Sequence, residues 1–304
     1  GKSSVLKDLL TQFPQEMLGD EHWKNLGEEL GILAKMIDSA ERLSIQVHPD
    51  KEFSRKYFHS DYGKTECWYI LQTCEVQGQE PYLLMGFRPG VTRERWQHCY
   101  EIQDIRGMID CMHKVTPKAG EVWLIDGGFP HAIGPGCCLI ELQEPTDYTL
   151  RTEKTRSDGS LLPEQLIHQG AGEEGLMECF HYDTLEEEQL RRLHCLKPEC
   201  RACRDGSVWK KLVGVPYTQC FSMVSVQVKE RVDLPSNGGF QVAVVVKGEG
   251  RILSRGGDTV LRQGEHFFLP AWMGDFTLCS NGKEPFEVLL CYPPHSMPVP
   301  PQED

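Results

Sequence analysis

Short apolar runs separated by charged or turn-rich pieces set the texture of most of the chain, with ILAKMI, LSIQV, CWYIL and YLLMGF between Gly31 and Phe87. Runs of this length, bounded in this way, predict antiparallel strands. Ahead of them Val5, Leu9 and Leu10, then Trp23, Leu26 and Leu30, fall at helix-like spacings, which predicts one or two short helices before residue 31. Between Val91 and Met112, Trp96, Tyr100, Ile105 and Met108 recur every three to five residues, so a helical insertion is expected before strands resume at His113. Residues 152–206 are polar, and TLEEEQLRRL within them suits a solvated helix in a connector. From Ser207 to Tyr292 short β-like runs return, punctuated by SNGG, KGEG, RGGD, RQGE and SNGK. That spacing predicts a second barrel or sandwich. The closing PPHSMPVPPQED reads as a disordered tail or an extended strap. The expected organisation is a helical segment over 1–30, a β-rich domain over 31–151 with its insertion at about 91–112, a partly helical connector over 152–206, a second β-rich domain over 207–292, and the tail over 293–304.

A chain of 304 residues is long enough to bury a substantial core as one large or two smaller domains. Its formal charge of −13 opposes general binding to nucleic acid or anionic membranes, so an anionic substrate needs a local basic pocket. Thirteen cysteines, an odd number spread through the chain, do not form the dense framework of a small secreted domain and fit reduced thiols in a cytoplasm. No apolar stretch approaches the roughly 20 residues that span a bilayer, and the opening GKSSVLKDLL has no apolar signal-peptide core.

The chemistry concentrates in three places. In Leu43-Ser-Ile-Gln-Val-His-Pro-Asp50, Gln46 and His48 stand two residues apart, so a strand points both to one face until Pro49 ends regular pairing. Glu66 opens an apolar strand in GKTECW, and His131 sits beside the turn of GFPHAIG. An amide, two imidazoles and one carboxylate suit a borderline divalent ion such as Zn2+, with Fe2+, Mn2+ or Co2+ also compatible. Taken singly, each of these residues has an ordinary structural explanation, and a lone buried histidine is more often a hydrogen-bonded core residue than a ligand. The cluster HCLKPECRAC holds one close CxxC with no distant matching pair, which favours unliganded thiols.

The segments LSIQVHPDK, GKTECWYI and PHAIGPG, with the later TDYTLR, resemble the motifs of type I mannose-6-phosphate isomerases, the phosphomannose isomerases of the cupin superfamily. The resemblance is close from about residue 31 to 151 and looser to 292. It implies a mainly β fold of two cupin (double-stranded β-helix or jelly-roll) barrels with helical insertions, the first metal-bearing and the second metal-free. It implies an aldose-ketose isomerase acting on mannose 6-phosphate and fructose 6-phosphate, one divalent ion per chain (Zn2+ foremost), and a sugar phosphate as the only partner class. Residue by residue it places the metal on Gln46, His48, Glu66 and His131, and gives Arg151 and Lys64 catalytic roles. Lys51, directly after QVHPD, is the candidate for the phosphate, ahead of Arg55 and Lys56, for which surface solvation is the preferred reading. Family members carry Trp-Gly-Gly and Gly-Glu-x-Trp motifs ahead of the point at which this sequence begins, and Phe129 and Pro130 depart from the family's turn before the histidine, bearing on the pocket wall. The general base, the anomer and the oligomeric state stay open. The rival readings are a catalytically silent sugar-binding relative and another metal-dependent bicupin enzyme such as a dioxygenase.

Overall fold

The computed structural model describes residues 5–156, 158–203, 205–282 and 284–301. The chain is mainly β and divides into two compact units, Lys35–Leu196 and Gly1–Ala34 with Lys197–Asp304. All thirteen cysteines are unbridged.

The unit Lys35–Leu196 holds the motifs. One sheet runs in the order β1 (Leu33–Asp38), β8 (Cys137–Gln143), β3 (Glu66–Thr73), β6 (Val122–Ile125), β10 (Cys195–Leu196). The other runs β5 (Met112–Val115), β4 (Leu83–Phe87), β7 (His131–Ile133), β2 (Gln46–Val47), β9 (Leu150–Arg151). Because side chains alternate across a strand, Trp68 and Ile70 of β3, Trp123 and Ile125 of β6, Leu83 and Met85 of β4, and Ile133 of β7 all enter one core between the sheets. Trp68 lies directly opposite Trp123, and both are fully buried.

The alternate positions of the second sheet face a different core. Ile45, Val47, Leu84, Phe87, Ala132 and Leu150 pack against helices α4 (Lys51–Phe58), α5 (Arg93–Glu101), α6 (Ile105–Asp110), α7 (Glu164–His168) and α8 (Gly172–Cys179) through Phe53, Trp96, Tyr100, Met108, Ile167, Leu176 and Met177. A sheet covered on both faces reads as an unbroken apolar run, and LLMGF of β4 is buried at every position. Helix α4 begins immediately after Pro49 because Asp50 caps it, its carboxylate accepting from Phe53 N at 2.7 Å.

The other unit has three short helices, α1 (Leu6–Gln12), α2 (Pro14–Leu18) and α3 (Asp20–Leu26), and two further sheets. Their strands are β11 (Glu199–Ala202), β12 (Val208–Val213), β13 (Ser222–Val228), β20 (Phe286–Tyr292), β15 (Gln241–Lys247) and β18 (His266–Leu269) in one, and β14 (Arg231–Leu234), β19 (Phe276–Ser280), β16 (Glu249–Ser254) and β17 (Gly257–Arg262) in the other. Val224, Val226, Ala243, Val288 and Leu290 from the first meet Val232, Ile252 and Leu278 from the second in a wholly apolar core.

Two glycines let the chain close over His48. A Cβ on Gly127 would lie 2.5 Å from Asp50 Cα and 2.6 Å from Asp50 N, and one on Gly128, at φ +82°, would lie 2.4 Å from the His181 ring. That approach allows Gly128 N to donate to His48 O at 2.7 Å. Gly127→Ala forces backbone atoms apart and should lower stability by about 1–3 kcal/mol, read as a shift in the urea midpoint at unchanged m-value.

Candidate active site

One end of the core between the two sheets of Lys35–Leu196 is polar. The strand β2 lies between β7 and β9, and Gln46 stands opposite both His131 and Arg151 in the ladder. Residues directly opposite one another share a face, so Gln46, His131 and Arg151 project from the same side of that sheet. Glu66, the first residue of β3, approaches from the facing sheet, and His48, two residues after Gln46, completes the group.

His48, Glu66 and His131 have no exposed side-chain surface. His48 Nδ1 donates to Tyr148 O at 2.9 Å and His131 Nδ1 to Phe129 O at 2.9 Å. Each ring therefore keeps its proton on Nδ1 and turns an Nε2 lone pair inward. Those two nitrogens stand 3.2 Å apart; His48 Nε2 is 3.1 Å from Glu66 Oε2, and His131 Nε2 is 3.4 Å from Glu66 Oε1. Gln46 Nε2 lies 3.1 Å from His131 Nε2, and a half-turn of that amide presents Oε1 at the same place.

Lone pairs converging at this distance repel unless a cation lies among them. Lys64 supplies one such charge, its Nζ 2.9 Å from both His48 Nε2 and Glu66 Oε2. Glu66 Oε1 is buried and accepts no hydrogen bond. Burial alone would push the Glu66 carboxyl up, but the ammonium of Lys64 holds it well below the usual carboxylate range. Burial, aided by the charge of Lys64, pushes His48 down to about 3, and burial likewise lowers His131. Both imidazoles are thus neutral at pH 7, the state that ligates a metal. A four-coordinate zinc with donors at about 2.0–2.2 Å sets neighbouring donors about 3.4 Å apart, close to the separations of 3.1 to 3.4 Å found here. Among the described residues, these three are the one group of His, Cys, Asp and Glu side chains close enough to hold an ion. The residues present fit a divalent metal.

The other sequence candidates lie at the rim. Arg151 donates through one guanidinium nitrogen to Leu166 O at 2.8 Å and Thr149 O at 3.2 Å. The ammonium of Lys51 is about half exposed and stands 3.4 Å from Glu144 Oε1. Arg55 and Lys56 point outward to Asp61 and Glu178. Phe129 covers Gly86 and stacks on His194 at 4.1 Å, while the edge of Trp68 meets His131 at 5.5 Å.

Two polar residues that sequence reasoning missed, Glu141 and Gln143, share this end of the core, and Lys35 and the exposed Asp147 meet them from its edge. Gln143 stands opposite Glu66 and Glu141 opposite Trp68. Lys35 Nζ donates to Gln143 Oε1 at 2.7 Å and to Asp147 Oδ1 at 2.8 Å, and lies 3.5 Å from Glu141 Oε1. Trp68 Nε1 donates to Glu141 Oε2 at 3.3 Å. Burial, reinforced by the charge of Glu66, pushes Glu141 up to about 7. A charged and a neutral polar residue, Glu141 and Gln143, at alternate positions of the buried strand CCLIELQ were the available signal.

The family model for the catalytic domain of type I phosphomannose isomerase matches residues 1–67, and that for the cupin domain of mannose-6-phosphate isomerase matches residues 213–284. The chain is 26% identical over 273 residues to the probable mannose-6-phosphate isomerase GmuF of Bacillus subtilis, covering 85% of this chain and 78% of that protein. It is 26% identical over 296 residues to the mannose-6-phosphate isomerase ManA of the same organism, covering 91% and 82%. The fold is similar to that of the mannose 6-phosphate isomerase from Bacillus subtilis, with a TM-score of 0.75 at 22% identity over 96% of this chain and 82% of the other. It is also similar to a zinc-bound mannose 6-phosphate isomerase, with a TM-score of 0.73 at 16% identity over 97% and 86%.

Two changes test the electrostatics. In protein stripped of divalent ions by a chelator, Lys64→Met leaves the buried Glu66 carboxylate without its cation and should cost about 3–5 kcal/mol at pH 7, measured by urea unfolding. Glu141 has a folded value above its unfolded one, so the native state binds the extra proton and stability falls as pH rises from about 4.5 to about 7. Glu141→Gln removes that fall, so under the same chelated conditions its stability relative to the parent should rise between pH 5 and pH 8 as judged by melting temperature.

Proposed function

We propose that this chain, a relative of the type I phosphomannose isomerases, interconverts mannose 6-phosphate and fructose 6-phosphate at a centre formed by Gln46, His48, Glu66 and His131. The observation that carries the reading is the convergence of two neutral imidazoles, one amide and one ionised carboxylate, whose Oε1 accepts no hydrogen bond, at metal-ligand separations in a fully buried cluster. This donor set suits one zinc ion per chain, in keeping with the zinc-bound isomerase of similar fold. When bound there, a divalent ion supplies a Lewis acid that polarises a substrate hydroxyl or carbonyl oxygen.

The remaining chemistry belongs to the side chains. Aldose-ketose exchange moves a proton between neighbouring carbons and gathers negative charge on enediolate oxygens. Arg151, one ladder position across from Gln46, brings a guanidinium to that charge, and Lys64 brings an ammonium already fixed beside Glu66. Lys51, with its half-exposed ammonium, suits the phosphate.

In the same reading each pair of facing sheets is a cupin barrel, metal-bearing over 31–151 and metal-free over 207–292. The segment 1–30 and the tail 293–304 stand outside the barrels, as does the connector 152–206 apart from its strands β10 and β11, which join the sheets. The unbridged cysteines fit a cytoplasmic setting.

The purified zinc-loaded chain should form fructose 6-phosphate from mannose 6-phosphate, followed by a coupled assay. Arg151→Ala should lower kcat by about 100-fold or more, and His131→Ala should abolish both turnover and tight zinc binding. A folded, zinc-loaded parent without turnover would replace this reading with that of a silent sugar-binding relative.

A further inference from the structure

We propose that Gln169 is a positioning residue that sets both His48 and Arg151. The inference rests on the metal-centre reading above and adds a residue outside every motif used so far.

Gln169 follows α7 and adopts φ 52°, ψ 32°, a left-handed conformation that glycine would occupy at lower cost. What the glutamine side chain adds is a pair of contacts to one stretch of backbone. Its Oε1 accepts from Thr149 N at 3.2 Å, and its Nε2 donates to Asp147 O at 3.3 Å. The carboxamide thereby grips residues two apart, as a neighbouring strand would, where the chain runs up to β9 outside any ladder.

The residue held between those two bonds is Tyr148. Its carbonyl is the acceptor that fixes the His48 tautomer, at 2.9 Å from Nδ1, and its ring stacks on Phe58 at 4.4 Å. Three residues before Gln169, Leu166 O receives the Arg151 guanidinium at 2.8 Å. The turn carrying these groups is pinned by His168, whose Nδ1 accepts from Gly170 N at 3.2 Å and Gly172 N at 3.1 Å. One short segment, 166–169, therefore orients a metal ligand through Tyr148 and the catalytic arginine through its own backbone. Partners of this kind hold ring orientation and ligand basicity, and losing one typically costs about 10–100-fold in metal affinity or activity.

Gln169→Gly separates positioning from folding, because glycine suits the left-handed backbone while removing the side chain and with it both carboxamide bonds. The full chain and the variant would be compared in three ways: melting temperature, zinc affinity by competition with a chromogenic chelator, and kcat and KM for mannose 6-phosphate. We expect an unchanged or higher melting temperature, zinc binding weakened about tenfold and kcat reduced about tenfold, with KM altered by less than about twofold. Parental zinc affinity and kcat in the variant would overturn the proposal. So would a fall of several degrees in melting temperature accompanying both losses, which would assign Gln169 to the fold alone. A parent that holds zinc yet forms no fructose 6-phosphate would overturn the functional reading only, since the zinc affinity of the variant still decides the role of Gln169.

Discussion

One carboxylate taken wholly out of water governs the arrangement of Lys35–Leu196. An ionised Glu66 at zero exposure costs several kcal/mol unless opposite charge and hydrogen-bond donors meet it. Lys64 meets one oxygen, while the two imidazoles turn lone pairs rather than protons toward the group because their own protons are committed to Tyr148 O and Phe129 O. The backbone carbonyls thus decide the polarity of the centre. A core that keeps its imidazoles unprotonated and gathers lone pairs around a carboxylate is a place where a small, doubly charged ion is worth more than any side chain the fold could offer.

Much of this was legible before any coordinates. The spacing of Gln46 and His48 puts them on one face, but only the resemblance of LSIQVHPDK to a family motif marks them as ligands, and the β-rich texture of both halves follows from apolar runs cut by turn residues. Helix α4 was hidden because Pro49 reads as an ending, although Asp50 as a cap and the spacing of Phe53, Tyr57 and Phe58 encode it. Lys35, Asp147 and Gln169 are hidden for a different reason. Each is a common residue type in an ordinary context, and only the folded chain brings them to the site. Lys35 and Gln143 lie 108 positions apart in sequence yet bond directly because β1 runs beside β8. Arg151 was placed by motif, whereas its relation to Gln46 is a matter of ladder register.

The two units treat similar sheet pairs differently. In one, the inter-sheet space ends in charge, and in the other Val224, Val226, Val288 and Leu290 keep it apolar. Helices account for part of the contrast. The sheet bearing Gln46, His131 and Arg151 has a helical layer on its far side, which buries Ile45, Val47, Ala132 and Leu150 and so fixes strands of only two or three residues that could not hold position by pairing alone.

That layering couples tolerance to change across the molecule. Along β2, β7 and β9, successive residues belong by turns to the helical core and to the charged centre, so no residue of these strands drifts independently of its neighbour. Trp96 and Leu176 share the helical core with Ala132 and Val47, so a volume change there should be felt at the centre through those strands. The positions whose replacement silences the protein should therefore reach past the ligands into the outer helices, where no recognisable motif marks them.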